Sequence, residues 1–134
     1  MRLSQRHLDQ MIEHCRAALP DEACGLLAGH GSTVEEVLGA GNALHSPWAY
    51  ELDEVGYRLL VQLEEGGRLL GSFHSHTQSD ACPSASDRRQ AYWPMPYVIV
   101  SLADREHPIV RAFRLAKPYG SRLASVVEEP VEVV

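Results

Sequence analysis

Residues 68–75, RLLGSFHS, and the His76 that follows constrain this chain more than any other segment. Residues 68–75 read as a strand, and His74 and His76 stand two positions apart along it. Successive side chains of a strand point to opposite faces, so both imidazoles leave one face of a sheet and Ser75 leaves the other. Asp87 follows His76 by eleven residues, beyond a polar loop that closes in Pro83 and Ser84, which is chain enough to bring its carboxylate back to the two rings. Two neutral nitrogens and one carboxylate oxygen suit Zn²⁺. Three protein ligands also leave a fourth tetrahedral position for water, as in catalytic rather than structural sites. A plainer reading stands beside this one: HxH pairs arise by chance, and Ser84-x-x-Asp87 at a helix start is also a capping arrangement.

The rest of the chain has to supply the sheet. With 134 residues, 45% hydrophobic and 22% charged, it carries one core, and a single domain over 1–134 is expected. Leu3, His7, Leu8, Met11, Ile12, Cys15 and Leu19 recur at helical spacing, with Ser4 as N-cap and Pro20 as the stop. Ala23–Ala28 reads as a buried strand, paired with Ser32–Leu38 across a turn at His30 and Gly31. Residues 39–50, GAGNALHSPWAY, form a loop. Asp53 caps a second helix whose apolar face is Val55, Leu59, Leu60 and Leu63, ended by a left-handed turn at Gly66–Gly67. A short helix from Ser84 to about Tyr92 and strands at Tyr97–Leu102 and Ile109–Leu115 follow, and Val126–Val134 alternates like an edge strand that Pro130 blunts. Interleaved helices and strands place the chain in the α/β or α+β class.

Composition removes several functions. Twelve basic against eighteen acidic side chains leave a net charge of −6, so nucleic acid is not an expected partner. No apolar run approaches a membrane span, and Arg6, His7, Asp9, Glu13 and His14 interrupt any secretory h-region, so no membrane role and a cytoplasmic location are expected. Cys15, Cys24 and Cys82 are odd in number and lack CxxC spacing, which excludes a disulfide framework or a thiolate zinc cage. His7, His14, His30, His45 and His107 have no partner at ligand spacing and read as surface groups.

His74-x-His76, seven residues, Ser84, two residues and Asp87 resemble the HxH-x7-S-x2-D pattern of the JAMM (MPN-plus, Mov34-like) metalloproteases. Upstream, PDEACGLLAG at 20–29 is similar to that family's P-x-E-x-C-G-x-L-x-G segment. The resemblance implies a single-domain mixed α/β fold of the JAMM and cytidine-deaminase kind, a curved mixed sheet flanked by helices. It also implies one Zn²⁺ per chain on His74, His76 and Asp87, Glu22 as general acid/base, and Ser84 steadying the oxyanion.

Only about ten residues separate Asp87 from the next strand, which leaves no room for the linkage-selecting insertion of eukaryotic deubiquitinating relatives. HSPWAYELD at 45–53, Thr77 where many relatives have proline, and the tail EEPVEVV at 128–134 resemble a compact prokaryotic sulfur-carrier group. Its implied partner is a ubiquitin-like sulfur carrier protein, ThiS/MoaD-like, with a Gly-Gly tail. Its implied reaction is hydrolysis of the amide after that tail, releasing cysteine or a C-terminal extension. The tail would add to a sheet edge, with Trp48 and Tyr50 either lining its slot or anchoring the loop. The chain's own apolar tail makes a homodimer an expectation too. The alternatives are a broader ubiquitin-like isopeptidase and a non-catalytic MPN-type interaction module. A deaminase would need PCxxC, and Cys82-Pro83 has the reverse order. Cys82 stands where the family has tyrosine, either as an inhibitory ligand or oxidation sensor or as an inert thiol.

Overall fold

A computed structural model describes residues 1–117 and 120–134. The first helix, α1 (Gln5–Ala18), follows a two-residue strand, β1 (Arg2–Leu3). Ser4 opens it with a capping box: its hydroxyl accepts from the His7 amide at 3.1 Å, and His7 Nδ1 accepts from the Ser4 amide at 3.3 Å. The hairpin β2 (Cys24–His30) and β3 (Thr33–Ala40) comes next, then α2 (Glu54–Glu65), β4 (Leu69–His76), α3 (Ala85–Arg89), β5 (Pro96–Ser101), β6 (Ile109–Ala116), β7 (Ser125–Glu129) and β8 (Glu132–Val133). The strands form one mixed sheet in the order β7-β6-β5-β4-β2-β3-β1-β8. β4 pairs parallel with β5, and β1 pairs parallel with β3 and β8; the remaining pairs are antiparallel.

This order makes the sheet curl. β7 and β8 lie at its opposite edges, yet only Pro130 and Val131 separate them in the chain. The two edges must therefore meet, and the Glu132 amide donating to Met1 O at 2.9 Å and the Val134 amide to Leu3 O at 2.9 Å hold them there. α1 lies in the resulting hollow: Met11 and Cys15 pack with Leu3, Leu27, Phe73 and Val100 in the largest apolar cluster. On the opposite face, α2 sets Leu60 and Leu63 on Leu26 and Ala28. β4 runs through the middle of the sheet, and Leu70 to His76 are all buried. Phe73 passes over Gly25, where a Cβ would stand 2.3 Å from the ring and 2.6 Å from Leu38 O, so only glycine fits.

Several expectations change in detail. The tail is two strands rather than one, because Pro130 has no amide to donate and the chain crosses there from one edge to the other. α3 stops at Arg89 instead of near Tyr92, and the Gln90 amide closes its last turn by donating to Ser86 O at 3.1 Å. On α2 the buried positions are Gly56, Leu60 and Leu63, one strict stripe at steps of four and three, and Val55 falls beside it, 72% exposed. The left-handed turn expected at Gly66–Gly67 falls on Gly67, at φ 68°. His14 is no surface group: its ring meets Phe73 edge-on at 5.8 Å, and Nε2 lies 3.0 Å from Cys24 O.

Candidate active site

The strand period places the two histidines as expected. His74 and His76 leave the same face of β4, with their Nε2 atoms 3.3 Å apart, while Ser75 points into the opposite face. Asp87 arrives from α3. Its Oδ1 stands 3.2 Å from His74 Nε2 and its Oδ2 3.1 Å from His76 Nε2. One ligand atom from each residue falls within 4.8 Å of the others, the single such group among the described residues. His76 Nδ1 lies 2.7 Å from Asp80 O, which can only accept, so Nδ1 carries the ring proton and Nε2 offers a lone pair. Two imidazole nitrogens and one carboxylate oxygen, nearly buried and within reach of one another, fit Zn²⁺.

The register of β2 against β4 puts Glu22 beside this group. Cys24 pairs with His74, and the Ser75 amide donates to Ala23 O at 3.0 Å, so Glu22 lies across from His76 on the same face. The inward Ser75 secures that register, accepting from the Ala23 amide at 2.8 Å. Glu22 is buried, at 6% exposure, and with His76 and Ser84 it lines a cavity of about 250 Å³. Ser84 does what its capping pattern indicates: its hydroxyl accepts from the Asp87 amide at 3.1 Å, and its own amide donates to Asp87 Oδ2 at 2.9 Å. The capping and site readings are thus compatible, because the cap uses the hydroxyl only as an acceptor and Ser84 also lines the cavity.

The electrostatics separate the two carboxyls. Burial raises Glu22 to about 7; the nearby His76 lowers it and Asp87 raises it, and burial prevails. Burial also pushes Asp87 up, but His74, through charge and hydrogen bond, with His76 and the Ser84 amide, outweighs it and holds Asp87 well below the usual carboxylate range. For His76, burial lowers the pKa, yet the contacts to Asp87 and Asp80 O raise it above its ordinary 6.5. One carboxyl stays ionised while the other sits near neutrality, a division suited to acid and base work.

The loop over 41–53 contributes more than its turn-like composition indicates. Asn42 is its hub: Nδ2 donates to Glu22 O and Ala49 O, both at 3.0 Å, and Oδ1 accepts from the amides of Leu44 at 3.0 Å and Glu51 at 3.2 Å. The Glu22 amide donates to Ser46 O at 2.8 Å, and Thr77 Oγ1 donates to Pro47 O at 3.0 Å. Tyr50 stacks on His74, ring centroids 4.4 Å apart and 22° from parallel, whereas Trp48 is 68% exposed at the cavity rim. A lone Asn in a Gly-rich stretch reads as a turn former, and nothing in the sequence distinguishes a hub from a turn. Cys82 is not part of the His74, His76 and Asp87 group, and its sulfur accepts from Arg111 Nη1 at 3.2 Å.

The model of the prokaryotic homologs of the JAB domain matches residues 4–116. The chain is 38% identical over 133 residues to the CysO-cysteine peptidase of Mycobacterium tuberculosis, spanning 95% of this chain and 86% of that protein. It is also 38% identical over 123 residues to the probable TtuB-protein conjugate cleaving protease of Thermus thermophilus, spanning 90% of this chain and 78% of that one. A solution structure from Desulfitobacterium hafniense superposes with a TM-score of 0.84 at 34% identity, covering 99% of this chain and 92% of that one.

Proposed function

The chain belongs to the family of prokaryotic homologs of the JAB domain, and from that membership we propose that it hydrolyses the amide bond after the C-terminal Gly-Gly of a ubiquitin-like sulfur carrier protein, releasing cysteine or a short extension. It is a hydrolase of the JAMM metallopeptidase type. We place the activity in one domain over residues 1–134 and in the cytoplasm. Separately, none of the described helices is long and apolar enough to cross a membrane. The observation that carries the reading is the meeting of Glu22 and Ser84, distant in sequence, with His76 around one small cavity.

His74, His76 and Asp87 would hold one Zn²⁺. When bound, the ion supplies Lewis acidity and lowers the pKa of water at its open position to about 7. Glu22 takes a proton from the attacking water and returns it to the leaving amine. Burial, which raises the Glu22 carboxyl above the usual carboxylate range, favours its return of the proton to the leaving amine, and a cation held beside it would favour the ionised form that accepts the proton first. The Ser84 hydroxyl donates to the substrate carbonyl oxygen as negative charge develops on it, and its bond from the Asp87 amide keeps it oriented. The carrier tail approaches in extended form, since a diglycine end has no side chains to obstruct a narrow slot.

The T. thermophilus relative, named for cleaving protein conjugates, supports a second reading in which the leaving group is a lysine side chain of another protein. One experiment separates the two: zinc content together with cleavage of a purified carrier bearing either a C-terminal cysteine or an isopeptide-linked lysine, for the native chain, Glu22→Ala and a chelated sample. The reading expects cleavage after the diglycine of the cysteine adduct, lost in both controls, with zinc retained by Glu22→Ala. Metal binding with cleavage of the lysine conjugate alone moves the substrate to the second reading. A chain that binds no metal removes the hydrolytic mechanism.

A further inference from the structure

Imidazole ligands need fixed rings, and the two histidines are fixed differently. His76 has its Nδ1 at 2.7 Å from Asp80 O. His74 Nδ1 is buried and meets no hydrogen-bond partner among the described residues. Among the described residues no side-chain or backbone group gives His74 the hydrogen bond to the second nitrogen that usually restrains a ligating imidazole. In its place lies the ring of Tyr50, at 4.4 Å and 22° from parallel, with the tilted His76 ring 5.1 Å away at 60°. Rotation of the His74 ring about its last torsion would drive its edge into the face of Tyr50. The terminal torsions of aromatic rings are broad, so steric confinement of this kind decides the orientation.

Tyr50 is itself held at both adjoining peptides. Asn42 Nδ2 donates to Ala49 O at 3.0 Å, and Asn42 Oδ1 accepts from the Glu51 amide at 3.2 Å. A backbone bridge between Asn42 and Leu52 closes the same loop.

We propose that Tyr50 is a positioning residue for the metal site, confining His74 by stacking where a hydrogen bond confines His76, and that Asn42 fixes Tyr50 in that place. The proposal rests on the reading of His74 as a metal ligand. It requires the flat ring and not the hydroxyl.

The test is zinc affinity by competition with a chromophoric chelator, paired with the visible spectrum of the cobalt-substituted protein, which reports ligand geometry without turnover. Tyr50→Phe is expected to match the native chain in both. Tyr50→Leu is expected to weaken zinc binding by about 10- to 100-fold and to shift the cobalt spectrum. Asn42→Ala is expected to weaken binding in the same direction, and the double variant to be no weaker than Tyr50→Leu, because both act through one ring. Metal-free thermal unfolding monitors the fold. Should Tyr50→Leu unfold, Tyr50→Met, flexible and without a flat ring, carries the same expectation. Native affinity and spectrum in a folded Tyr50→Leu or Tyr50→Met chain overturn the proposal while leaving the metal site intact. Failure of the native chain to bind zinc overturns both this proposal and the function above.

Discussion

Replacing Glu22 with glutamine tests whether its carboxyl occupies the buried position described. In the metal-free protein, burial raises Glu22 from 4.5 to about 7. A carboxyl raised on folding makes the native state bind more protons than the unfolded state between these two values. Stability therefore falls as pH rises through that window, and the cost is complete above the folded pKa. At about 1.36 kcal/mol per pKa unit, the shift corresponds to about 3 kcal/mol. Glutamine keeps the shape and removes the charge. The metal-free Glu22→Gln chain should thus gain about 3 kcal/mol relative to the native chain between pH 4.5 and pH 8. Urea unfolding of chelator-treated protein measures this, and at a slope of about 2 kcal/mol/M the two midpoints should separate by about 1.5 M more at the higher pH. Any pH-independent effect of the substitution cancels in the comparison. A stability difference that is the same at both pH values would refute the argument, because it would mean that Glu22 titrates as a solvated carboxyl. Adding zinc should shrink the pH dependence, since a cation near the carboxylate offsets its burial.

Two further outcomes follow from the same geometry. Ser75→Ala leaves the buried Ala23 amide without its 2.8 Å acceptor and should cost about 1–3 kcal/mol in urea unfolding; it should also lower turnover by loosening the register that sets Glu22 across from His76. Zinc affinity should hold steady at high pH and fall on acidification, beginning above 6.5, because Asp87 and Asp80 O favour the protonated His76 that a metal must displace. Chelator competition across pH checks this, and an affinity independent of pH from 8 to 5 would contradict it.

The parts of the site that lie within one short segment were legible in the sequence. The parity of His74 and His76 follows from the two-residue repeat of a strand, and the return of Asp87 follows from a cap at Ser84 that starts a helix after a bounded loop. The two long helices were also legible, since Ser4 and Asp53 cap them as their residue types indicate. The exposure of Val55 was not, because a stripe only one residue wide leaves the neighbouring position undetermined until a sheet lies beneath it. The division of the tail between two sheet edges was not legible either: alternation over 126–134 records that a segment is extended, not which strand it meets.

Local chemistry in the sequence thus determined the meeting of His74, His76 and Asp87, the caps and the class of fold, because each is set by residue types and periodicities within short segments. The tertiary structure alone decided the distance from Glu22 to the ligands, through a β2–β4 register that Ser75 secures across 52 positions of chain. It alone placed Tyr50 on His74 and made Asn42 the clasp of the loop. Such contacts join groups from separate elements, and their geometry exists only once a curled sheet has brought those elements to one face.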